Sequence, residues 1–132
     1  MATKVLDAYA LLAFLEDEPG ADAVRDLILK AENRKTKLLM TTVNLGEVWY
    51  SIARRSSPTT ADEYVQEIET MAIEIVDADW ILTRQAALYK VAGKIAYGDC
   101  FAAALSKIRK AELVTGDREF KSLESEIKIS WL

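Results

Sequence analysis

The stretch LLMTTVNLGEVWYSIARR, residues 38–55, carries the reading on which the fold turns. It begins with a short apolar run, LLMTT at 38–42, and passes straight into a segment from Val43 to Arg55 in which Leu45, Val48, Trp49 and Ile52 recur at three- and four-residue spacing. A strand with one wet face alternates apolar and polar residues, so an unbroken run implies burial on both faces. The spacing that follows puts one apolar stripe on a helix. Ser56, Ser57 and Pro58 then end it.

The same strand-to-helix pattern recurs on either side. KVL (4–6) reads as a strand, Ala8 to Glu16 as a helix halted near Pro19 and Gly20, and Ala21 to Asn33 as a second helix with Val24, Leu27, Ile28 and Ala31 on one face. Downstream, Thr60 and Glu63 form a capping-box pair at the head of a helix reaching Ala72. IEIV (73–76) is a strand, Asp79 to Lys94 a helix, Gly98 and Asp99 a helix start, ELVT (112–115) a strand and IKISW (127–131) the last. Short apolar strands alternating with helices imply right-handed βαβ crossovers. The expected architecture is α/β, a three-layer α/β/α sandwich around a mostly parallel sheet of about five strands. With 132 residues, 51% of them hydrophobic, the chain suits one domain spanning 1–132.

Composition narrows the chemistry. The chain has no histidine and one cysteine, Cys100, which removes histidine triads, Cys-His nucleophile pairs and zinc sites built on imidazole or thiolate. Hydrolysis would have to rest on carboxylates, hydroxyls, lysines or a metal. No apolar run reaches the roughly 18 residues of a membrane span, and MATKVLDAY lacks the pattern of a secretory signal, so a cytoplasmic location is expected. No GxxxxGK[ST] or GxGxxG occurs, against nucleotide-binding loops. The net charge of −4 argues against a polyanionic partner unless basic patches form. Lys30, Arg34, Lys35 and Lys37 are one such cluster, Arg54 and Arg55 a second, and Lys107, Arg109 and Lys110 a third; the blander reading of each is a solvated face.

In open parallel sheets, ligands bind outside the carboxyl ends of the strands where the strand order reverses. Asp7 directly follows the first strand, and Asp117 follows ELVT after Thr115 and Gly116. Each also stands at a helix start, where a short side-chain acceptor serves as an N-cap, and Asp99 behind Gly98 admits the same reading. Glu47 lies roughly opposite the main apolar stripe of its helix and reads as a surface charge. Val43 and Tyr50, however, suggest partial cover on its flank, and a covered glutamate needs a cation or a metal.

At this point the chain resembles the PIN domain nucleases and, within them, the VapC-type toxins of prokaryotic toxin-antitoxin pairs. The resemblance rests on KVLDAYALLAFL, TTVNLGEVWYSI, YGDCFAAALS and ELVTGDREF, and spans essentially the whole chain. It implies that Asp7, Glu47, Asp99 and Asp117 converge to hold a divalent metal, with Thr115 as the small hydroxyl residue that accompanies the last acid. It also implies endonucleolytic cleavage of RNA, inhibition by a small VapB-type antitoxin, and a homodimer. Two positions depart from the family pattern. Ala8 replaces a frequent hydroxyl residue, and Gly98 precedes Asp99 where a larger residue is more usual.

On that reading the donor set is all oxygen, which favours Mg²⁺ or Mn²⁺ over zinc or copper. Asp7, Asp99 and Asp117 are then expected as direct or water-mediated ligands, and Glu47 as a further ligand or the group that orients the attacking water. The basic clusters are candidate phosphate contacts, and Trp49, Tyr50 and Phe14 could serve core, dimer or antitoxin. Three rivals stand beside it. A haloacid-dehalogenase-like phosphatase wants a second Asp where Tyr9 stands. A receiver-like Mg²⁺-binding phosphoacceptor could use Asp77 but lacks a Lys after its last strand. The third is an inactive PIN-like scaffold acting only as a protein-binding module.

Overall fold

The computed structural model describes residues 1–132. Five strands, β1 (Ala2–Leu6), β2 (Thr36–Thr41), β3 (Ile73–Val76), β4 (Glu112–Thr115) and β5 (Ile129–Trp131), form one sheet in the order β3-β2-β1-β4-β5. Every pairing is parallel. The helices are α1 (Ala8–Leu15), α2 (Ala21–Glu32), α3 (Thr42–Arg55), α4 (Pro58–Thr70), α5 (Trp80–Ala92) and α6 (Tyr97–Arg109), with a 3-10 helix at Arg118–Leu123. None is long and apolar enough to cross a membrane.

The unbroken apolar runs are explained by cover on both faces. Val5, Leu39 and Leu113 face a cluster of 17 buried residues shared with α5, α6 and the 3-10 helix. Their chain neighbours Leu6, Leu38, Met40 and Val114 face a second cluster of 14, shared with α1 to α4. This period-two division is what a pleated strand imposes, and each fully buried aliphatic side chain contributes about 1.5–3 kcal/mol. The three-layer α/β/α sandwich is therefore present, with the sheet wholly parallel. Trp49 and Phe14 pack against the second cluster as partly buried members, whereas Tyr50 is 43% exposed and lies under the Arg54 guanidinium.

Two helix starts differ from the sequence reading. The cap of α4 is Ser57, whose hydroxyl accepts from the Thr60 N–H at 3.1 Å, with Pro58 at the first helical position. The Thr60–Glu63 pair therefore lies inside the helix, since Ser57 and Pro58 already supply a cap and a fixed φ. Helix α6 begins at Tyr97 behind an Ala96 cap with no side-chain bond, so Asp99 sits within the first turn and caps nothing. The chain runs β1, β2, β3 toward one edge and then crosses to β4 on the other side of β1. The carboxyl ends of β1 and β4 thus flank the point of reversal, and their register, Leu6 opposite Val114, makes Asp7 and Thr115 neighbours there.

Candidate metal centre

Asp7 is 1% exposed and caps α1. Its Oδ1 accepts from the Ala10 N–H at 2.8 Å, and its Oδ2 accepts from the Thr115 hydroxyl at 2.5 Å. The Thr115 oxygen in turn accepts from the Asp117 N–H at 3.0 Å. Asp117 caps the 3-10 helix, its Oδ1 accepting from the Glu119 N–H at 3.0 Å. The capping reading of Asp7 and Asp117 therefore holds, and it fixes the direction of each carboxylate. Thr115 links the two acids with one hydroxyl.

The half-buried Asp99 arrives from α6. Oxygens of Asp99, Asp117 and Glu119 lie within 4.8 Å of one another, a group of three carboxylates that could hold an ion. Glu119 was not singled out in the sequence, yet it stands two residues past Asp117 on the turn that Asp117 caps. Asp7 and Glu47 lie near enough for their charges to act on Asp99.

Glu47 reaches this place by a different route. Asn44, fully buried and one helical turn earlier, donates through Nδ2 to Glu47 Oε1 at 2.7 Å and to the Gly98 carbonyl at 3.0 Å. Its own Oδ1 accepts from the Thr41 hydroxyl at 2.6 Å, which fixes the amide orientation. A Cβ on residue 98 would collide with the Glu47 carboxylate, 2.6 Å from Cδ and 2.8 Å from Oε1, so Gly98 is what lets that group approach the start of α6. One of the two departures from the family pattern is thereby explained. The flank cover on Glu47 comes from Asn44 and the turn at Gly98, while Tyr50 points to solvent.

The electrostatics follow from burial without cations. Burial raises the Asp7 carboxyl to about 7 against the pull of its Thr115 and Ala10 bonds, with Asp117 and Glu47 adding repulsion. Asp99 is raised to about 7 by burial and then by Asp117, Glu47, Asp7 and Glu119. Burial also raises Glu47. None of these five acids is among the molecule's ion pairs. The arrangement concentrates negative charge that a hard cation would neutralise.

The basic clusters lie elsewhere. Lys37 pairs in register with Thr3 near the start of β1, and Arg34 lines a cleft with Met1, which puts the Lys30 to Lys37 group at the amino end of the sheet. Lys107 and Lys110 line a cleft of about 570 Å³, with Lys4 and Lys128 at that same end. Arg54 and Arg55 stand roughly 10–12 Å beyond Glu47 along α3, and Arg55 pairs with Glu16. The cation next to the acids is Arg118, adjacent to Asp117 and held 4.7 Å over the Trp131 ring. Asp77 follows the edge strand β3, two strands from β1, and is exposed, which leaves the receiver-like arrangement without its acid pair.

Asn44, Gly98, Glu119 and Arg118 thus join the residues read from the sequence. Asn44 had a legible signal, since a polar residue three before Glu47 shares its helix face. Gly98 stands out in the sequence only as a helix start and a departure from the family pattern, because its role depends on a contact 51 positions away in the chain, from Glu47.

The PIN domain family matches residues 4–126. No curated protein matches the chain. Among solved structures, VapBC2 from Rickettsia felis bound to a promoter DNA fragment aligns with a TM-score of 0.72 at 18% identity over 97% of each chain. DNA-bound VapBC from Salmonella typhimurium aligns at 0.75 and 17% identity over 98% of each. VapC20 of Mycobacterium tuberculosis, described as a sarcin-ricin loop cleaving toxin, aligns at 0.70 and 14% identity over 90% of this chain and 93% of that one. At these identities the structural likeness speaks for the fold. With the family match covering nearly the full length, the chain belongs to the PIN domain family.

Proposed function

We propose that the chain is a divalent-metal-dependent endoribonuclease of the VapC type, the cytoplasmic toxin of a VapBC-like pair restrained by a VapB-type antitoxin. One observation carries the reading: Asp7, Glu47, Asp99, Asp117 and Glu119, drawn from four separate segments, meet at the point of strand reversal with no cation paired to any of them.

Asp99, Asp117 and Glu119 would hold Mg²⁺ or Mn²⁺, with Asp7 and Glu47 on its flanks. When bound, the ion supplies acidity to a coordinated water and positive charge to the phosphodiester oxygens. The chain's own residues do the rest. Thr115 holds Asp7 and the Asp117 backbone in one register, so the two carboxylates keep their spacing. Asn44 aims Glu47, whose raised pKa suits a group that accepts a proton from the attacking water where no imidazole is present. Arg118, next to Asp117 in the chain and steadied on Trp131, is a cation available to a phosphate of the substrate.

The VapBC complexes among the structural neighbours support an antitoxin partner, and the sarcin-ricin loop named for VapC20 supports an RNA loop as the substrate class. On α5, Trp80 and Ile81 are each 71% exposed and Val91 87%, an apolar face that supports the homodimer. The experiment is to map cut sites in total RNA with the purified protein. Discrete new ends in Mg²⁺ or Mn²⁺, absent in EDTA, are expected. No cleavage with either metal would leave the protein-binding scaffold as the better reading.

A further inference from the structure

Tyr9 is an aromatic residue beside the acids, two past Asp7 in the chain, and the fold makes little use of it. It lies in the first turn of α1 and is 46% exposed. The buried face of that helix is supplied by Ala10, Leu11 and Ala13. Its ring nevertheless has a built seat. A Cβ on Gly116 would fall on Tyr9 Cε1, 2.7 Å from Cζ and 3.0 Å from the hydroxyl oxygen. Gly20 is the only glycine with a positive φ, so the backbone at 116 does not itself demand glycine. What a side chain there would displace is the ring. Gly116 stands between Thr115 and Asp117, so the edge of Tyr9 rests on the segment that links the acids while much of the residue stays open to solvent.

We propose that Tyr9 is a stacking platform for an unpaired base of the RNA substrate, positioning the strand beside the acidic cluster. This rests on the nuclease reading. A rigid, half-open ring with one edge fixed on backbone presents a π surface at small entropic cost. Stacking of unpaired bases on aromatic rings, beside cationic contacts to the backbone, is how single-stranded nucleic acid is commonly held, at about 1–3 kcal/mol per base. The net charge of −4 makes such a contact more important here than in a basic protein. Arg118, which follows Asp117 in the chain and is held over Trp131, is the cation that would supply the phosphate contact stacking lacks.

The test is binding of a fluorescein-labelled 12-nucleotide single-stranded RNA, followed by anisotropy with Ca²⁺ in place of Mg²⁺, alongside the same RNA carrying one abasic ribose walked along its length. Tyr9→Ala should weaken binding of the intact RNA about tenfold, Tyr9→Phe should leave it unchanged, and at one abasic position the Tyr9→Ala penalty should vanish. Gly116→Ala should match Tyr9→Ala alone and add nothing in the Tyr9→Ala background. A penalty that is equal for every abasic RNA would make Tyr9 a structural plug and overturn the proposal. A wild type that cleaves RNA, joined to a Tyr9→Ala protein that binds normally, would overturn stacking while the nuclease reading stands. A wild type that neither binds nor cleaves would remove both.

Discussion

The two ends of the sheet treat their carboxylates in opposite ways. At the amino end, Glu112 is met by Lys4 at 2.7 Å and Lys128 at 3.4 Å, and Lys107 meets Glu126 at 3.2 Å. The Lys4 hydrogen bond and both lysine charges hold Glu112 below the usual range. At the carboxyl end, Asp7 and Asp99 are more deeply enclosed, no lysine or arginine pairs with them, and both are raised to about 7. A chain with 17 basic side chains had cations to spare for that cluster. Leaving it unpaired is costly to the fold, and the cost has a use only if the neutralising charge comes from outside.

The sharpest break of that contrast is to change one charged group at each end. Asp99→Asn should lower RNA cleavage at least a hundredfold in single-turnover assays with Mg²⁺, while the melting temperature holds or rises because a repelling charge is gone. Lys4→Met at the other end should leave cleavage unchanged. If Asp99→Asn cleaves as well as the wild type, the unpaired cluster is not the site.

The next effect tests whether the cluster is held or merely crowded. Asn44→Ala removes the donor to Glu47 and the tie to Gly98, and a lost orienting bond of this kind typically costs about ten- to a hundredfold in metal-site activity. The same change should lower stability by about 1–3 kcal/mol, because the Gly98 carbonyl loses a partner in a covered place. Chemical denaturation separates the two losses.

How far the site could be read in advance follows from the same geometry. Asp7 and Asp117 were legible because each closely follows an apolar strand, and strand ends are where such folds bind ligands. The sheet was legible because both faces of each strand are covered, so the apolar runs are unbroken. Glu47 was not legible from periodicity. Its helix presents Val48 and Ile52 to one core, and the polar cover over Glu47 comes from Asn44 and a distant turn. Asp99 reads from the sequence as a cap that it does not provide, because Gly98 looks like a helix boundary when its task is to make room for Glu47. Glu119 was hidden among ordinary surface acids until the 3-10 helix turned it toward Asp117. Apart from Glu119, which a local turn places, each miss is a contact between segments, which local spacing does not encode.

The pH response of stability should differ between the ends, with a clear sign. Asp7 and Asp99 are raised from 3.8 to about 7, so between those values the folded protein binds more protons than the unfolded chain. Stability without metal should therefore fall as pH rises from about 4 to about 7 and level off above, by several degrees in melting temperature. Mn²⁺ binds the ionised carboxylates, so it should raise the melting temperature more at pH 8 than at pH 5. A melting temperature that climbs through this range in EDTA would mean the acids are already neutralised by something else.

The smallest effect belongs to the amino end and runs the other way. Glu112 is held below its ordinary pKa, so its contribution is present above about pH 4.5 and is lost as pH falls through the lower folded value. Glu112→Gln should cost no more than about 1 kcal/mol at pH 7, the usual worth of a partly exposed ion pair, and progressively less as pH falls below the folded value. Added Mn²⁺ should not change that difference, since the carboxylate left in the lysine-lined cleft at that end, Glu126, is already paired with Lys107. A metal response in this variant that departs from the wild type would mean the two ends are coupled through β1 and β4. The contrast between paired and unpaired carboxylates would then describe one electrostatic system, in which changing the amino end alters the affinity of the other for its cation.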